Sequence, residues 1–452
     1  MTARAAVVLA AGKGTRMKSD LPKVLHSVGG RTMLSWTQAL ADELGCDQTV
    51  VVVGPEASEV QDAAAELVGA KNVCIQHNQL GTADAVKAAA PALEGFTGDV
   101  IVLYADTPLI PASAAEQAFE ALTDGAGVSV LGFYAREPGG YGRLIRNSAG
   151  DLDRIVEAKD ASSDESAVDL CNSGVMAAAW PLMANLLEEV GDDNAKGEYY
   201  LTDLVGLARR RDLRAAVVTC EERDVLGVNS RAQLAEAEAA FQVRAREAAM
   251  SAGVSMAAPE TVYFSWDTKL GRDVYVEPNV VFGPGVTVAD KARIKAFSHL
   301  EGATVGSSAD VGPFARLRPG AQLGDAVKIG NFVEVKNVTL GEGAKVNHLS
   351  YVGDGSIGAD ANIGAGVIFC NYDGFFKHQT LVGAGAFIGS NSALVAPVSV
   401  GDGAYIGSGS VITKDVEADA LGVARAKQVE RKGWARAFKD KMAKRKASEK
   451  KD

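Results

Sequence analysis

The sequence predicts two folds in one chain: a Rossmann-like α/β domain with a mostly parallel sheet, then a left-handed parallel β-helix of hexapeptide repeats. Three observations lead there. Over residues 5–228, short apolar runs alternate with helix-length stretches, the pattern of a parallel sheet covered by helices. From Val274 to Ile412 an aliphatic residue returns every six positions, usually followed by a small one. Neither the helix period nor the two-residue strand period produces that beat, whereas a triangular coil with one hexad per flat side does. Between the two patterns, residues 230–251 are Ala-rich and read as a helix, long enough to serve as a connecting arm. The expected divisions are 1–229, the linker helix 230–251, the column 252–425 and a basic tail 426–452.

In the first domain, residues 5–10, 49–53, 73–76, 99–103 and 128–131 read as buried strands, with helix-length stretches at 31–44 and 58–68. Ligands of such sheets collect at the carboxyl ends of strands. After the first strand comes Leu9-Ala10-Ala11-Gly12-Lys13-Gly14-Thr15-Arg16-Met17, then Leu21-Pro22-Lys23-Val24-Leu25. It is neither the dinucleotide fingerprint nor a Walker loop. Its glycines let main-chain N–H groups approach an anion, and Lys13, Arg16 and Lys23 could neutralise a polyphosphate. A plain strand-to-helix turn would share the glycines. The fourth strand ends in Tyr104-Ala105-Asp106-Thr107-Pro108, where Asp106 is suited either to a divalent metal bridging phosphates or to capping the next turn.

In the column, the beat slips by one residue around Leu340 and Ile357 and breaks at residues 370–379, an insertion rich in Asn, Tyr and Lys of the kind that carries a binding function. Lys336 follows Arg318 by about one coil, which would stack the two as an anion clamp; the alternative is a solvated charged face. His348 with Glu334, about one coil below, has the makings of a general base and its orienting carboxylate.

Composition narrows the function classes. A net charge of -11 argues against nucleic acid as a partner, the basic end of the chain excepted. No apolar run is long enough to span a bilayer and residues 1–5 lack the shape of a signal peptide, so no membrane association and a cytoplasmic location are expected. The five cysteines are scattered without metal-ligand spacing and read as reduced, buried and structural. Beyond Arg425 the sequence turns strongly basic. A solvated or partly disordered tail competes there with weak anion binding and with Trp434 anchoring on a neighbouring subunit.

The combination LAAGKGTRM, LPKVLH, QLGTA, YADTPL, GYGR, IVEAKDA, NSG, GEYYLTD and GVN closely resembles the sugar-nucleotide pyrophosphorylases. Joined to a hexapeptide column, the chain resembles the bacterial bifunctional N-acetylglucosamine-1-phosphate uridyltransferases and glucosamine-1-phosphate N-acetyltransferases, over residues from about 5 to 430. That resemblance implies that Ala11, Gly12, Lys23, Gln76, Gly81 and Thr82 hold UTP or the nucleotide of a UDP-sugar. It implies sugar contacts from Tyr104, Gly142, Glu157, Asn172 and Tyr199 or Thr202, and Mg²⁺ on Asp106 and Asn229, the latter also at the sugar-nucleotide site. In-line attack of an already anionic sugar phosphate on the α-phosphorus needs no general base, so Mg²⁺, Arg16 and Lys23 would act by positioning and neutralisation.

For the column, the resemblance implies that His348, supported by Glu334, takes a proton from the amine of glucosamine 1-phosphate as it attacks acetyl-CoA. Arg318, Lys336, Tyr351 and Lys377 would hold the sugar phosphate, and Asn362 and Asn371 the sugar and its amine. Ala365, Asn371, Tyr372, Ser390, Ser408 and Arg425 would line the acetyl-CoA path, with Ser408 where the family commonly has Ala. Enzymes of this kind are homotrimers with sites between columns. The expected function is therefore acetyl transfer to glucosamine 1-phosphate, then uridylyl transfer from UTP to N-acetylglucosamine 1-phosphate. A different class, a single-activity nucleotidyltransferase whose β-helix serves only oligomerisation or effector binding, is the alternative. A purely structural repeat protein is disfavoured by the phosphate-binding loop and Asp106.

Overall fold

The computed structural model describes residues 2–448. It divides into two compact units, one running to Ser251 and including Tyr263–Asp267, the other formed by Ala252–Val262 and the chain from Thr268 onward. The last four residues of the basic tail lie outside the described residues.

The first unit is a twisted sheet in the order Ala215–Cys220, Val128–Tyr134, Leu170–Ala179, Asp99–Tyr104, Arg4–Leu9, Gln48–Val53, Val73–Ile75. Only Leu170–Ala179 runs antiparallel to its neighbours in this row. Ala5–Val8 and Val100–Leu103 are fully buried, and apolar layers cover both faces, which is why these strands are continuous aliphatic runs rather than alternating ones. The Asn172-Ser173-Gly174 motif falls inside the antiparallel strand, at a register shift between Asn172 and Met176. There the Ser173 hydroxyl donates to the Leu131 carbonyl at 2.6 Å. Polar residues at a bulge break the apolar run, so periodicity alone hides this strand.

The helix Arg231–Ser251 is not a free arm over its first turns. Arg231 donates to the Met17 carbonyl, Glu238 accepts from the Gly29 amide at 2.7 Å, and Arg244 reaches the Leu109 carbonyl and Asp224. Residues Tyr263–Asp267 pack on the same unit: the Gln242 side-chain amide pairs with both main-chain groups of Phe264.

In the second unit the six-residue beat becomes a column. Every aliphatic on the beat from Val274 to Ile412 is 5% exposed or less. Arg316 pairs with Glu334, eighteen residues on, but Glu334 pairs with Tyr351, seventeen on. The shorter coil comes from strands Glu334–Leu340 and Tyr351–Ile357, which bend round one corner without a spare residue and account for the slips. Ile368 pairs with Ala393, twenty-five on, because the 370–379 insertion leaves the column as a small hairpin bridged at Tyr372 and Lys377.

One edge of the column is marked by positive φ. Asn279, Phe297, Phe314, Phe332, Leu349, Gly366, Asn391 and Gly409 succeed one another up that edge with φ of 52–75°. From Phe297 upward, each donates its amide to a carbonyl one coil below. Four of them are large, apolar and about half exposed, and the three phenylalanines stack at 4.9 and 5.1 Å between ring centroids. Above Leu349 the edge changes to Gly, Asn and Gly.

The tail is solvated but ordered over part of its length: Trp434–Ser448 is a helix with no buried residue, carried by Ala, Lys and Arg and by Trp434 stacked on Phe438 one turn later. All five cysteines are free, and only Cys171 is buried; the other four are half-buried, correcting the sequence expectation. Burial pushes the Cys46 and Cys220 thiols up to about 12, so both are poor nucleophiles. No helix among the described residues is long and apolar enough to cross a membrane.

Candidate active sites

The first site is a cavity of about 540 Å³ at the carboxyl ends of the central strands. Ala11, Gly12, Lys23, Gln76, Gly81, Thr82, Tyr104 and Asp106, all named from the sequence, line it together with Lys13, Asn78, Gln79 and Glu198. Main-chain hydrogen bonds build it. Ala105 donates to the Leu9 carbonyl, setting Asp106 beside the glycine-rich loop, and Val228 donates to the Asp106 carbonyl, bringing Asn229 alongside. Gly81 has φ of 134°, and a Cβ there would lie 2.4 Å from the Tyr199 carbonyl oxygen, so only glycine lets the two segments meet.

The polar groups of this cavity are oriented by each other. The Gln76 amide donates to the Gly81 carbonyl and to Asp84, and Gln79 donates to the Ala11 carbonyl at 2.6 Å. Lys23 Nζ sits 2.5 Å from Asp106 Oδ2 and 3.0 Å from Asn229 Oδ1. Asp106 is thus no simple turn cap. Farther out, the Thr202 hydroxyl donates to Glu157 at 3.3 Å, Asn172 donates its amide to the Gly142 carbonyl, and Tyr199 joins the wall through main-chain bonds to Leu80 and Ala83. Burial raises the Glu157 carboxyl above its ordinary range, the Thr202 hydrogen bond opposing it. Burial also raises the Tyr104 hydroxyl, with Asp106 and Glu157 adding to it. Arg16, in the short 3₁₀ turn Thr15–Met17, is exposed and is not part of the cavity lining. Gln79 and Glu198 were legible only as members of the QLGTA and GEYYLTD runs.

The second set of groups is spread over the surface of the column. His348, Ala365, Ser390 and Ser408 each stand just before a positive-φ residue of the marked edge, so they rise one above another, coil by coil. Arg425 closes the series by donating to the Ser408 carbonyl at 2.6 Å. The expected His348–Glu334 pair is not formed. His348 Nδ1 lies 2.6 Å from Asn331 Oδ1, its register partner one coil below, while Glu334 accepts from Arg318 at 2.9 Å.

Around the edge, Lys336, Asn337, Asp354 and Lys377 line a shallow cavity with Gly320 and His378. Lys377 is held close to Lys336, whose hydrogen-bonding contact and charge lower its pKa. Two ammonium groups at close range, with the Asp354 carboxylate and the Tyr351 hydroxyl nearby, make a site that an anion relieves. Buried Asp354 orients Asn371 at 2.6 Å and Asn337 at 2.8 Å, and Asn371 also reaches the Tyr351 hydroxyl. Arg318 is turned onto Glu334 and is not part of that lining, and Tyr372 bonds within its own hairpin. Asn362 belongs to a different face, in register with Lys345 and Phe387, so one chain does not bring it to Lys336 and Lys377. Among the described residues no group of three His, Cys, Asp or Glu side chains is placed to hold a metal.

A nucleotide-sized, cation-lined cavity on a parallel sheet, and a histidine on the edge of a hexapeptide column, define a nucleotidyltransferase joined to an acyltransferase. Residues 6–169 match the family model of the MobA-like NTP transferase domain, and 379–414 match that of the bacterial transferase hexapeptide, six repeats. The chain is 59% identical over 449 residues to a bifunctional protein GlmU of Hyphomonas neptunium, covering 98% of this chain and 96% of that one. It is 57% identical to that of Caulobacter vibrioides (96% and 94% covered) and 58% identical to that of Maricaulis maris (98% and 98%). The chain belongs to the GlmU family. It is a bifunctional acetyltransferase and uridyltransferase of UDP-N-acetylglucosamine synthesis, and the single-activity alternative is not favoured.

Proposed function

We propose that the cavity of the first unit performs Mg²⁺-dependent uridylyl transfer from UTP, and that the edge and clamp of the column transfer acetyl from acetyl-CoA. The observation that carries the first half is the convergence of Asp106 and Asn229 oxygens on one cationic nitrogen, within 3.0 Å. Two hard oxygen donors aimed at one point fit a magnesium ion completed by phosphates and water. When bound, it would neutralise charge on the triphosphate. Ala11, Gly12, Gln76, Gly81 and Thr82 bind the nucleotide, and Tyr104, Gly142, Glu157, Asn172, Tyr199 and Thr202 the sugar. Lys23 steadies the phosphates, and Arg16 approaches them from the exposed loop.

In the column, Lys336 and Lys377 bind the phosphate of glucosamine 1-phosphate, with Arg318 and Tyr351 beside them and Asn371 and Asn362 on the sugar. His348 takes the proton that the amine sheds as it attacks the thioester. Asn331, rather than Glu334, fixes the imidazole, and Glu334 restrains Arg318. Acetyl-CoA runs up the edge past Ala365, Ser390, Ser408 and Arg425, with Tyr372 of the hairpin beside it. The split of these groups between faces, and the exposed stack Phe297–Phe314–Phe332 with Leu349 below His348, support a homotrimer in which a neighbouring copy completes each site. Free thiols suit a reducing, cytoplasmic setting. The functional divisions are 1–229, 230–251 and 252–425.

One assay tests the scheme: purified protein with glucosamine 1-phosphate, acetyl-CoA, UTP and Mg²⁺, following free CoA and pyrophosphate. CoA first, with pyrophosphate depending on it, is expected. Pyrophosphate only upon supply of N-acetylglucosamine 1-phosphate, with no CoA release, would overturn the column's part.

A further inference from the structure

The ammonium group of Lys23 stands where the oxygens of Asp106 and Asn229 meet, 2.5 and 3.0 Å away. Its side chain is 10% exposed and that of Asp106 22%. The position is built: Gly14, at φ of 60°, brings its Cα so close that a Cβ would lie 2.6 Å from Lys23 Cβ. Pro22 starts the short turn Lys23–Leu25 that carries the lysine inward. A partly buried carboxylate is favoured by a cation at close range, and here the chain supplies one. A lysine and a divalent ion cannot both occupy that point, because the metal must lie closer to the same oxygens than the ammonium does.

We propose that Lys23 is the resident counter-ion of the metal position, excluding free divalent metal until the phosphates of an arriving nucleotide draw its ammonium away. The inference rests on the reading of Asp106 and Asn229 as metal ligands. Lys23 is a point charge on a flexible stem, and it lines the same cavity as Gly12 and Lys13, where an anion would lie. Moving between carboxylate and phosphate leaves it paired at both ends of its travel. Metal and nucleotide then favour each other's binding, because each removes an obstacle to the other.

The test is Mn²⁺ binding to the full chain without nucleotide, followed by the loss of free Mn²⁺ signal in electron paramagnetic resonance. Lys23→Met and Lys23→Gln are expected to bind Mn²⁺ about fivefold or more tightly than the parent protein, the low end of couplings between sites. Lys13→Met, which removes an equal charge from the cavity wall but leaves the Asp106 pair intact, is expected to bind less tightly than either. Equal or weaker binding in both Lys23 variants, with thermal melts showing folded protein, overturns the proposal, as does a Lys13→Met gain as large. The double variant Lys23→Met/Asp106→Asn separates the two layers. If it keeps the gain, Asp106 is not a ligand and the underlying reading fails; if Lys23→Met shows no gain but the double variant binds Mn²⁺ more weakly than Lys23→Met does, the ligand reading stands and the proposal alone is overturned.

Discussion

The two sites differ in where their polar groups find partners. In the first unit, Gln76, Gln79, Lys23, Asp106 and Asn229 bond to one another and to main chain within a single cavity. On the column, His348, Lys336, Lys377 and Asn362 are spread over a solenoid surface: His348 meets Asn331 one coil below, and Lys377 of the hairpin lies beside Lys336. A sheet with helices on both faces leaves a crevice at its strand ends. A solenoid in which each coil touches only the next has no such crevice, so its sites need an insertion or another copy. The difference predicts that uridylyl transfer is a property of one chain and acetyl transfer a property of an assembly.

The largest effect expected is on the column. His348→Ala should lower acetyl transfer by about 10²–10⁴-fold, the contribution of a positioned base, and leave uridylyl turnover unchanged. Loss of both activities in folded protein would end the two-site comparison. Asp106→Ala should lower uridylyl transfer by about 10²–10³-fold, as loss of a charge-organising group does, and spare acetyl transfer. Unaltered uridylyl turnover across a magnesium titration would refute its role. Phe332→Asp should weaken association of copies by about 2 kcal/mol, as an interface anchor does, seen by sedimentation. Acetyl transfer should fall with dilution while uridylyl transfer does not; equal behaviour of the two would break the contrast.

Smaller effects sharpen it. Asn331→Ala should reduce acetyl transfer about tenfold and shift its pH profile, part of the cost a misplaced group can carry. A larger loss in Glu334→Gln with no change in Asn331→Ala would restore the carboxylate as orienting partner. The smallest is a proton count. With Lys377 lowered beside Lys336, the empty clamp loses a proton as pH rises through that lowered value, and a bound phosphate favours the charged form. Titrating glucosamine 1-phosphate in buffers of different ionisation enthalpy should therefore show proton uptake that grows with pH from neutrality into the alkaline range. Proton release would contradict the clamp.

Much of the fold was legible because burial enforces simple periods. The six-residue beat survives, through its slips and its one break, as a buried line because each flat side turns its aliphatic side chain into the prism. The antiparallel strand carrying Asn172 was missed because its bulge is held by side-chain hydrogen bonds rather than by alternation. The site in the first unit was legible at strand ends, where Lys23 and Asp106 stood out by charge. The partner of His348 was not. Glu334 precedes it by fourteen residues and Asn331 by seventeen, and only the coil shortened at Leu340 makes seventeen the true repeat there. The slip in the beat was visible in the sequence; its geometric meaning needed the register.

The edge that changes from phenylalanine and leucine to glycine and asparagine also works as a ruler. His348, Ala365, Ser390, Ser408 and Arg425 stand on five successive coils, and coils are spaced as neighbouring strands are. Four steps at about 4.8 Å give ~19 Å between the proposed base and the last guanidinium. Length along this edge can change only in whole coils, so the carrier it accepts is measured in units the backbone sets, and the 370–379 hairpin leaves the column without adding one.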